Sequence, residues 1–440
     1  MAIGIIGIVL ALVVLIVLCV KRVNLVIASL VGVGVICLFS QMNFYEQLTT
    51  NYAGSLGSFI TSWFIVFFLG SLFGKIMDVT GSAQAIADVM LKWFGNYAAV
   101  IGMPLVIMLM VYGGVNGFVV VFTVWPMMDK LWRKIDAPRR LMPAMVQFAA
   151  GTAANGGPGS PNALNLVVTN SLGVTPYAGL GIGMIYNVVV MGLGIGCYIY
   201  AVRRAQRLGQ HYLAPGAQDY IVETNDKALE KKPNGILSLL PLVITIFALN
   251  FSINGATVFP TEYALGLGVL ALILINIPRL NTATITKVLG EAVPAAVVIC
   301  ASYGAMSGFG TVVKATPVFQ QLVDAIPSLP GSPLISLFIA TNLMCAVTGT
   351  ATGAATIVAP ILGPIYTGMG LSAAVVARVI AMSATALDSV PHNSGVINYI
   401  YTFGHEDFKS AYPMVFITSV VCPVIATIIA ILAGMAFGLV

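Results

Sequence analysis

Long apolar runs alternate with short polar segments along almost the whole chain. The first half contains unbroken runs near 3–20, 23–39, 59–77 and 177–200. The second half contains similar runs near 236–253, 263–277, 292–313 and 412–439. A run of about 20 apolar residues is long enough to span a bilayer as a helix. The pattern therefore predicts an all-α membrane protein that crosses the bilayer many times.

Two further apolar segments, at 141–172 and 371–401, are interrupted in the middle. The first break is Asn155-Gly-Gly-Pro-Gly-Ser-Pro161, and the second lies within Ala384-Thr-Ala-Leu-Asp-Ser-Val-Pro-His-Asn-Ser-Gly395. A bilayer offers no water to the backbone groups that a break frees, so a broken helix is expected only against protein or a wet cavity. Two broken helices at corresponding positions of two halves predict the binding site of a transporter.

Two pairs of shorter apolar arms predict re-entrant hairpins at 97–128 and 333–366. The arms of the first pair are about 11 to 15 residues long, fewer than the roughly 20 that span a bilayer. The glycine-rich tips, Gly113-Gly-Val-Asn-Gly117 and Thr348-Gly-Thr-Ala-Thr-Gly353, permit tight turns. Basic residues flank the first pair on both sides, as expected if both flanks are cytoplasmic. The alternative is two short full crossings joined by an outer turn.

The two halves share residues at a constant spacing. Phe73-Gly74 aligns with Phe309-Gly310 at an offset of 236 positions, and the two glycine-rich tips keep the same offset. The spacing predicts a first inverted repeat at 1–202, a cytoplasmic linker loop at 203–235 and a second repeat at 236–440. Each repeat is expected to hold five transmembrane helices plus a re-entrant hairpin and a broken helix. Inverted repeats of this kind are typical of secondary transporters.

Composition agrees with a membrane protein. Of the 440 residues, 59% are hydrophobic and 8% are charged, whereas soluble domains have about 25% charged residues. The net charge of +5 comes from basic residues in short loops, so it predicts orientation rather than nucleic-acid binding. Lys21 and Arg22 follow the first apolar run, which predicts an inner-membrane protein with both termini outside the cytoplasm.

The sequence lacks the common catalytic and metal-binding motifs. Its three histidines form no HExxH pattern, and neither a GxSxG nor a GxxxxGK[ST] motif occurs. The six cysteines all lie in apolar runs without a CxxC pair. The sequence therefore predicts a protein that is not an enzyme and that uses no cofactor or metal.

Three stretches are similar to a known family. They are Leu69-Gly-Ser-Leu-Phe-Gly-Lys-Ile-Met-Asp-Val-Thr-Gly-Ser-Ala83, Gly157-Pro-Gly-Ser-Pro-Asn162 and Leu387-Asp-Ser-Val-Pro-His-Asn-Ser-Gly395. On these stretches the chain resembles the gluconate/proton symporter (gluconate permease) family of the ion transporter superfamily. Sugar-acid members carry a Pro-Pro-His-Pro-Gly-Pro-like run at the first break. The Gly-Gly-Pro-Gly-Ser-Pro-Asn run here is closer to the hydroxybutyrate permease branch.

The resemblance implies import of a small organic anion by proton symport. The implied substrate is a hydroxy-monocarboxylate such as 3-hydroxybutyrate, or a sugar acid such as gluconate. The resemblance also implies a homodimer within membrane lipid and an elevator-like motion of the hairpin-bearing domain against a scaffold. A sodium-coupled carboxylate symporter is the alternative, and a channel is a further one.

The tips and breaks are the predicted substrate site. Half-helix N-termini there carry free N–H groups and a positive dipole end, which suit a carboxylate. Nearby hydroxyl and amide side chains would bind it without the desolvation cost of a full charge. The substrate-binding candidates are Asn116, Gly117, Ser160, Asn162, Thr350, Thr352, Asn393 and Ser394. The competing interpretation is that these residues only cap the broken helices.

Asp388 and His392 are the candidates for proton coupling, because ionisable groups at membrane depth are costly and indicate function. Histidine exchanges protons near neutral pH. The competing interpretation makes Asp388 a helix cap and His392 a core histidine. If sodium is the coupling ion, Asp388 would join hydroxyl and carbonyl oxygens around it. Arg378, in the same segment, either pairs with a carboxylate or extends to the outer interface.

Overall fold

The computed structural model describes residues 2–112, 117–160, 162–214, 233–253, 256–257, 259–319, 321 and 332–440. The helices of the first half are α1 (Ala2–Val20), α2 (Leu25–Ser40), α3 (Phe44–Glu46), α4 (Ala53–Val79), α5 (Ser82–Phe94), α6 (Met103–Tyr112), α7 (Gly117–Lys134), α8 (Met142–Val146), α9 (Ala163–Ser171) and α10 (Leu180–Arg207). Those of the second half are α11 (Gly235–Asn250), α12 (Thr261–Ile275), α13 (Thr282–Lys314), α14 (Pro333–Thr348), α15 (Ala351–Gly368), α16 (Ala373–Ala384), α17 (Ser394–Ile397), α18 (Phe408–Phe416) and α19 (Cys422–Ala436). The short strands β1 (Ser252–Ile253) and β2 (Ala256–Thr257) form an antiparallel pair. The predicted all-α polytopic fold is confirmed.

Several helices in the described chain are long and apolar enough to cross a membrane. They are Ile3–Val20, Phe44–Val79, Leu180–Arg207, Thr282–Lys314 and Phe408–Ala436. The second of these begins earlier than the apolar run at 59–77 predicted. The more polar stretch before that run is already helical, through α3 and a π-helical turn at Gln47–Tyr52. Asn43 starts it by accepting a hydrogen bond from the amide of Glu46 (3.2 Å).

Helices α4 and α13 pack side by side. The most apolar window of α13 is 72% buried, whereas that of α1 is 33% buried. The hydroxyl oxygens of Ser55 and Ser307 are 2.8 Å apart across the contact. A Cβ added to Gly308 would lie 2.7 Å from the backbone oxygen of Tyr52. Small residues let the two backbones approach closely, which is how helices in a membrane gain packing energy.

A new helix begins after each glycine-rich tip. At the second tip, Gly349 joins α14 to α15 in a left-handed conformation (φ 66°) that glycine adopts without strain. At the first tip, residues 113–116 lie outside the described residues, and α7 begins at Gly117. Helix α7 continues to Lys134, beyond the predicted end of the hairpin at 128. The re-entrant course of both pairs stays a prediction.

The chain leaves the helical conformation at both polar interruptions. Before the first, α8 continues as a π-helical turn (Gln147–Ala153), and the chain then turns through 154–160; α9 begins at Ala163. The second turns through 385–393 between α16 and α17, and a π-helical turn (Asn398–Phe403) follows. π-Helical turns occur frequently at functional sites. Here one π-helical turn precedes the first break and the other follows the second.

The predicted linker at 203–235 is only partly described. Helix α10 extends into it as far as Arg207. Residues 215–232 lie outside the described part of the chain. Asn234 then caps α11, since its side-chain oxygen accepts the amides of Ile236 (2.9 Å) and Leu237 (3.2 Å). The division of the chain into two repeats and a linker stays a prediction.

Candidate functional site

A cavity of about 80 Å³ lies between the two breaks and takes its lining from both halves of the chain. Residues of the first break, the second tip and the second break all contribute to it. Its polar side chains include Asn155, Asn162, Thr350, Thr352, Asn393 and Ser394. We call it the central cavity.

Four helices begin at the central cavity. Gly117, Ala163, Ala351 and Ser394 are the first residues of α7, α9, α15 and α17, and each lines it. The first N–H groups of a helix have no partner within the helix, and the dipole gives that end a partial positive charge. One such terminus stabilises an anion by about 0.3–1 kcal/mol, and by up to ~2 kcal/mol when partly buried. Four termini together make this cavity well suited to a carboxylate.

Asn162 makes hydrogen bonds to residues on both sides of the first break. Its side-chain oxygen accepts the amide of Asn165 (3.0 Å) and so caps α9. Its Nδ2 donates to the hydroxyl of Ser160 (2.5 Å) and to the carbonyls of Ala154 and Asn155 (3.3 Å each). The same side chain lines the central cavity. Capping and cavity lining are therefore two tasks of one residue rather than competing interpretations.

Asn393 holds the second break in the same way. Its Oδ1 accepts the amide of Val396 (3.0 Å) and caps α17. Its Nδ2 donates to the carbonyls of Asp388 (2.8 Å) and Gly349 (3.1 Å). The bond to Gly349 joins the second break to the second tip. Tip and break therefore form one unit beside the cavity.

Close packing explains a glycine in the first break. A Cβ added to Gly157 would overlap the hydroxyl of Tyr112 and lie 2.5 Å from Nδ2 of Asn187. That amide donates a hydrogen bond to the Tyr112 hydroxyl (2.8 Å). The backbone of the break can press against this pair only because residue 157 has no side chain. Tyr112 is the last residue of α6, so the contact links the first break to the helix that leads to the first tip.

Asp388 brings a carboxyl group to the lining of the central cavity and is only 5% exposed. Its Oδ1 accepts a hydrogen bond from the hydroxyl of Ser389 (2.8 Å), which in turn accepts one from Nε2 of Gln147 (2.8 Å). Gln147 belongs to the π-helical turn before the first break, so this chain of bonds connects the two breaks. A carboxylate buried this deeply is costly. Binding of a proton or a cation at Asp388 would relieve that cost.

His392 lies behind the second tip rather than on the central cavity. It is 2% exposed, and a Cβ added to Gly349 would lie 2.7 Å from its Cδ2. Neither ring nitrogen makes a hydrogen bond of normal length and angle to a described residue. The segment between Asp388 and His392 is not helical, so their i, i+4 spacing does not bring them to one face.

Arg378 is fully buried (0% exposed), so the interpretation that it extends to the interface is wrong. Its guanidinium donates to the carbonyls of Ala178 (2.9 Å), Gly156 (3.2 Å) and Pro176 (3.0 Å). These carbonyls belong to the first break and to the loop before α10. Within the described ranges, no carboxylate lies at ion-pair distance from Arg378. A cation from the second half therefore stabilises the break of the first.

The structure brings most of the predicted site residues together. Those that line the central cavity are Gly117, Asn162, Thr350, Thr352, Asp388, Asn393 and Ser394. Ser160 and His392 are buried outside its lining, and Asn116 lies outside the described residues. Sequence reasoning missed Gln147, Asn155, Tyr303 and Tyr399, which also line it. The two amides were visible as polar residues in an apolar segment, whereas nothing distinguishes the tyrosines from core aromatic residues.

Comparison with known protein families identifies the chain. Residues 8–437 match the family model described as "Tripartite ATP-independent periplasmic transporter, DctM component". The chain belongs to this DctM family. The predicted membership of the gluconate permease family is therefore wrong. The motifs that suggested it lie around the third helix and the breaks, and they do not outweigh a DctM match that extends over nearly the whole chain.

Two relatives of this DctM-family chain are named as transport proteins. The "Uncharacterized transporter YxjC" of Bacillus subtilis is 26% identical over 412 residues, which cover 86% of this chain and 87% of the relative. An "Uncharacterized permease" of Haemophilus influenzae is 27% identical over 389 residues, which cover 79% and 75%. The family and the apolar helices make the chain a multi-pass membrane protein with a role in transport.

A solved structure, that of the YdaH transporter of Alcanivorax borkumensis, aligns with 90% of this chain and 89% of its own. The sequence identity is 11% and the TM-score is 0.41. A likeness of this size carries no argument about the fold or function of the DctM-family chain.

Proposed function

We propose that this DctM-family chain carries a small organic anion across the inner membrane by secondary active transport. The central cavity is the proposed binding site. The observation that supports this most strongly is the convergence of four helix N-termini on one small cavity. Their N–H groups and dipoles favour an anion, and no fixed positive side chain among the described lining residues would hold it too tightly to be released.

The size of the central cavity favours a short substrate. Its volume of about 80 Å³ is below the roughly 300–1,000 Å³ that is usual for pockets of drug-sized ligands. We therefore favour a hydroxy-monocarboxylate such as 3-hydroxybutyrate over a sugar acid such as gluconate, which is the larger of the two. The amides of Asn155 and Asn162 are the proposed partners of the substrate hydroxyl.

Asp388 is the proposed coupling residue. An incoming carboxylate adds negative charge near Asp388, and like charges in a poorly solvated site repel each other. A proton that arrives with the substrate removes this repulsion, which couples the two. Sodium would have the same effect if Asp388 and nearby hydroxyl and carbonyl oxygens held it, so sodium symport remains the alternative. In the described part of the chain, no three His, Cys, Asp or Glu side chains cluster as metal ligands.

The proposal includes companion components, because the family description names one part of a tripartite system. A homodimer and an elevator-like motion of the helices around the tips against α4 and α13 remain predictions within it. His392 remains a second predicted proton carrier, with less geometric support than Asp388 because it does not line the cavity.

The test combines binding and uptake. Labelled hydroxy acids of increasing length are titrated into the detergent-purified chain, a measurement that needs no companion component. The chain is then placed, together with its companion components, in proteoliposomes under a pH gradient or, separately, a sodium gradient. We expect a short hydroxy acid to bind and to accumulate under the pH gradient. Accumulation under the sodium gradient alone would mean that sodium, rather than the proton, is the coupling ion. Failure of every carboxylate to bind would show that the central cavity is not an anion site.

A further inference from the structure

A second cavity, of about 370 Å³, lies beside the C-terminal end of α10. It is enclosed by the last turns of α10, the turn at Arg139–Leu141, and α18 with the π-helical turn after it. Much of its wall is apolar and comes from Leu141, Tyr200, Leu208, Pro413, Met414 and Ile417. None of its lining residues lines the central cavity. We call this second cavity the basic groove, because Arg140 and Arg204 also line it.

The basic groove lies where α10 leaves the apolar part of its span. Tyr200 is 66% exposed and Leu208 is 62% exposed, so apolar surface beside the groove is left uncovered by the described part of the protein. The last turns of α10 carry Arg203, Arg204 and Arg207. By the positive-inside rule, this end of the helix is cytoplasmic. The groove therefore lies at the headgroup level of the cytoplasmic leaflet.

In the turn at 139–141, the neighbouring residues Arg139 and Arg140 bond to different partners. Nε of Arg139 donates to the carboxylate of Glu406 (2.7 Å). Arg140 instead lines the groove, where its Nη2 donates to Oε1 of Gln210 (2.6 Å). A guanidinium has five N–H donors in a fixed fork. The bond to Gln210 uses one of them and positions the others at the groove.

Two of the arginines on α10, Arg203 and Arg204, also lie on different sides of the helix, because consecutive residues of a helix point about 100° apart. Arg203 donates to the hydroxyl of Tyr97 (2.6 Å), on the other side of α10. Arg204 lines the basic groove. Among the residues that the structure describes, no carboxylate lines the groove or pairs with Arg140 or Arg204. The groove therefore carries a net positive charge.

We infer that the basic groove binds the phosphate of an anionic phospholipid from the cytoplasmic leaflet. Paired N–H donors of guanidinium groups match the geometry of phosphate oxygens, and arginine is more weakly hydrated than lysine. The apolar walls continue towards the lipid and would pack against acyl chains. A free phosphate would gain the polar contacts alone, which is why the lipid is the ligand that fits the whole groove. Basic pockets between membrane helices bind such headgroups on this side of the membrane.

A neighbouring cavity provides the matched control. It lies on the other face of α10 and is lined by Tyr97, Lys134 and Arg203. Its cations already have partners in the protein, since Lys134 pairs with Asp88 and Arg203 bonds to Tyr97. Loss of Arg203 therefore removes the same charge from the same turn of α10 without touching the basic groove.

The test measures lipid retention by the detergent-purified full chain. Phosphatidylglycerol and phosphatidylcholine are titrated against it, and bound lipid is counted by native mass spectrometry. We expect the wild type to prefer phosphatidylglycerol. The double variant Arg140→Gln/Arg204→Gln should lose about 25-fold in affinity for that lipid, since one basic residue near an anionic surface contributes about fivefold. Arg203→Gln should bind as the wild type does.

Three results would overturn the inference. They are unchanged phosphatidylglycerol binding in the double variant, an equal loss in Arg203→Gln, and displacement of the lipid by soluble glycerol phosphate at matched concentration. The last result would show that the groove takes a free anion. Arg140→Lys/Arg204→Lys separates a folding defect from ligand loss, because it keeps the charge without the paired donors. We expect its affinity for phosphatidylglycerol to lie between those of the wild type and the glutamine variant.

Discussion

The two breaks are built alike but charged differently. Asn162 and Asn393 each cap the helix that follows and donate back to carbonyls of their own break. The first break has no ionisable side chain of its own, and the guanidinium of Arg378 bonds to the carbonyl of Gly156 within it. The second break carries Asp388 at the cavity. Similar asparagine caps are thus combined with charges of opposite sign.

This difference indicates a division of labour between the halves. The first break presents amides and helix termini in front of a buried cation, which favours an anion without an ion pair that would slow its release. The second break presents a poorly solvated carboxylate, which favours a proton or a cation. A symmetric pair of breaks would give a site for two identical ligands. The charges make the site suitable for two different ligands, as the proposed symport requires.

The largest expected effect is that of Asp388→Asn, which removes the charge of the second break and keeps its shape. We expect gradient-driven accumulation in proteoliposomes to fall to background, because the amide cannot exchange a proton. Exchange of labelled for unlabelled substrate should persist, since the four helix termini remain. Asp136→Asn, in a carboxyl group that contacts His211 and Tyr212 outside the cavity, is the matched control and should accumulate normally. Normal accumulation by Asp388→Asn would remove the coupling role.

Arg378→Met tests the cation of the first break. Three carbonyls lose charge-assisted donors worth about 1.5–3 kcal/mol each, partly offset because a buried charge is also removed. We expect a net loss of about 3 kcal/mol in the free energy of unfolding, measured by denaturation of the purified chain. The free energy of unfolding of Arg378→Lys should lie between those of the wild type and Arg378→Met, since an ammonium group cannot reach all three carbonyls. A methionine variant as stable as the wild type would mean that the first break needs no cation.

Much of the site could be predicted because its residues stand out within apolar segments. Pro158 and Pro391 indicate helix breaks where an unbroken helix would otherwise be expected. Asp388 is costly at membrane depth and was therefore a candidate on physical grounds alone. The asparagines were predicted from their place beside the breaks. Each of these residues is uncommon inside a membrane helix, and that is why the sequence alone identified it as a candidate.

The rest depends on contacts that sequence does not encode locally. Gln147 reaches Asp388 only through Ser389, on the other half of the chain. The partners of Arg378 are backbone carbonyls, which every residue possesses, so no side chain in the sequence identifies them. His392 does not line the cavity, because the chain between it and Asp388 is a non-helical turn whose course the sequence alone does not give. The family was misassigned because similar breaks are needed wherever a broken helix lines a cavity.

The smallest expected effects test whether the two breaks are alike. Asn162→Ala and Asn393→Ala each remove one cap and the bonds to the break, at about 1 kcal/mol in stability. If the caps also position the cavity, each variant should raise the half-saturating substrate concentration by about fivefold. Ser160→Ala is the control for the first break, because Ser160 does not line the cavity and its hydroxyl accepts a hydrogen bond from Asn162. Its effect on the half-saturating substrate concentration should be smaller than that of Asn162→Ala. An equal effect of Ser160→Ala would place the substrate deeper in the first break. A neutral Asn393→Ala beside an impaired Asn162→Ala would confine substrate binding to the first break.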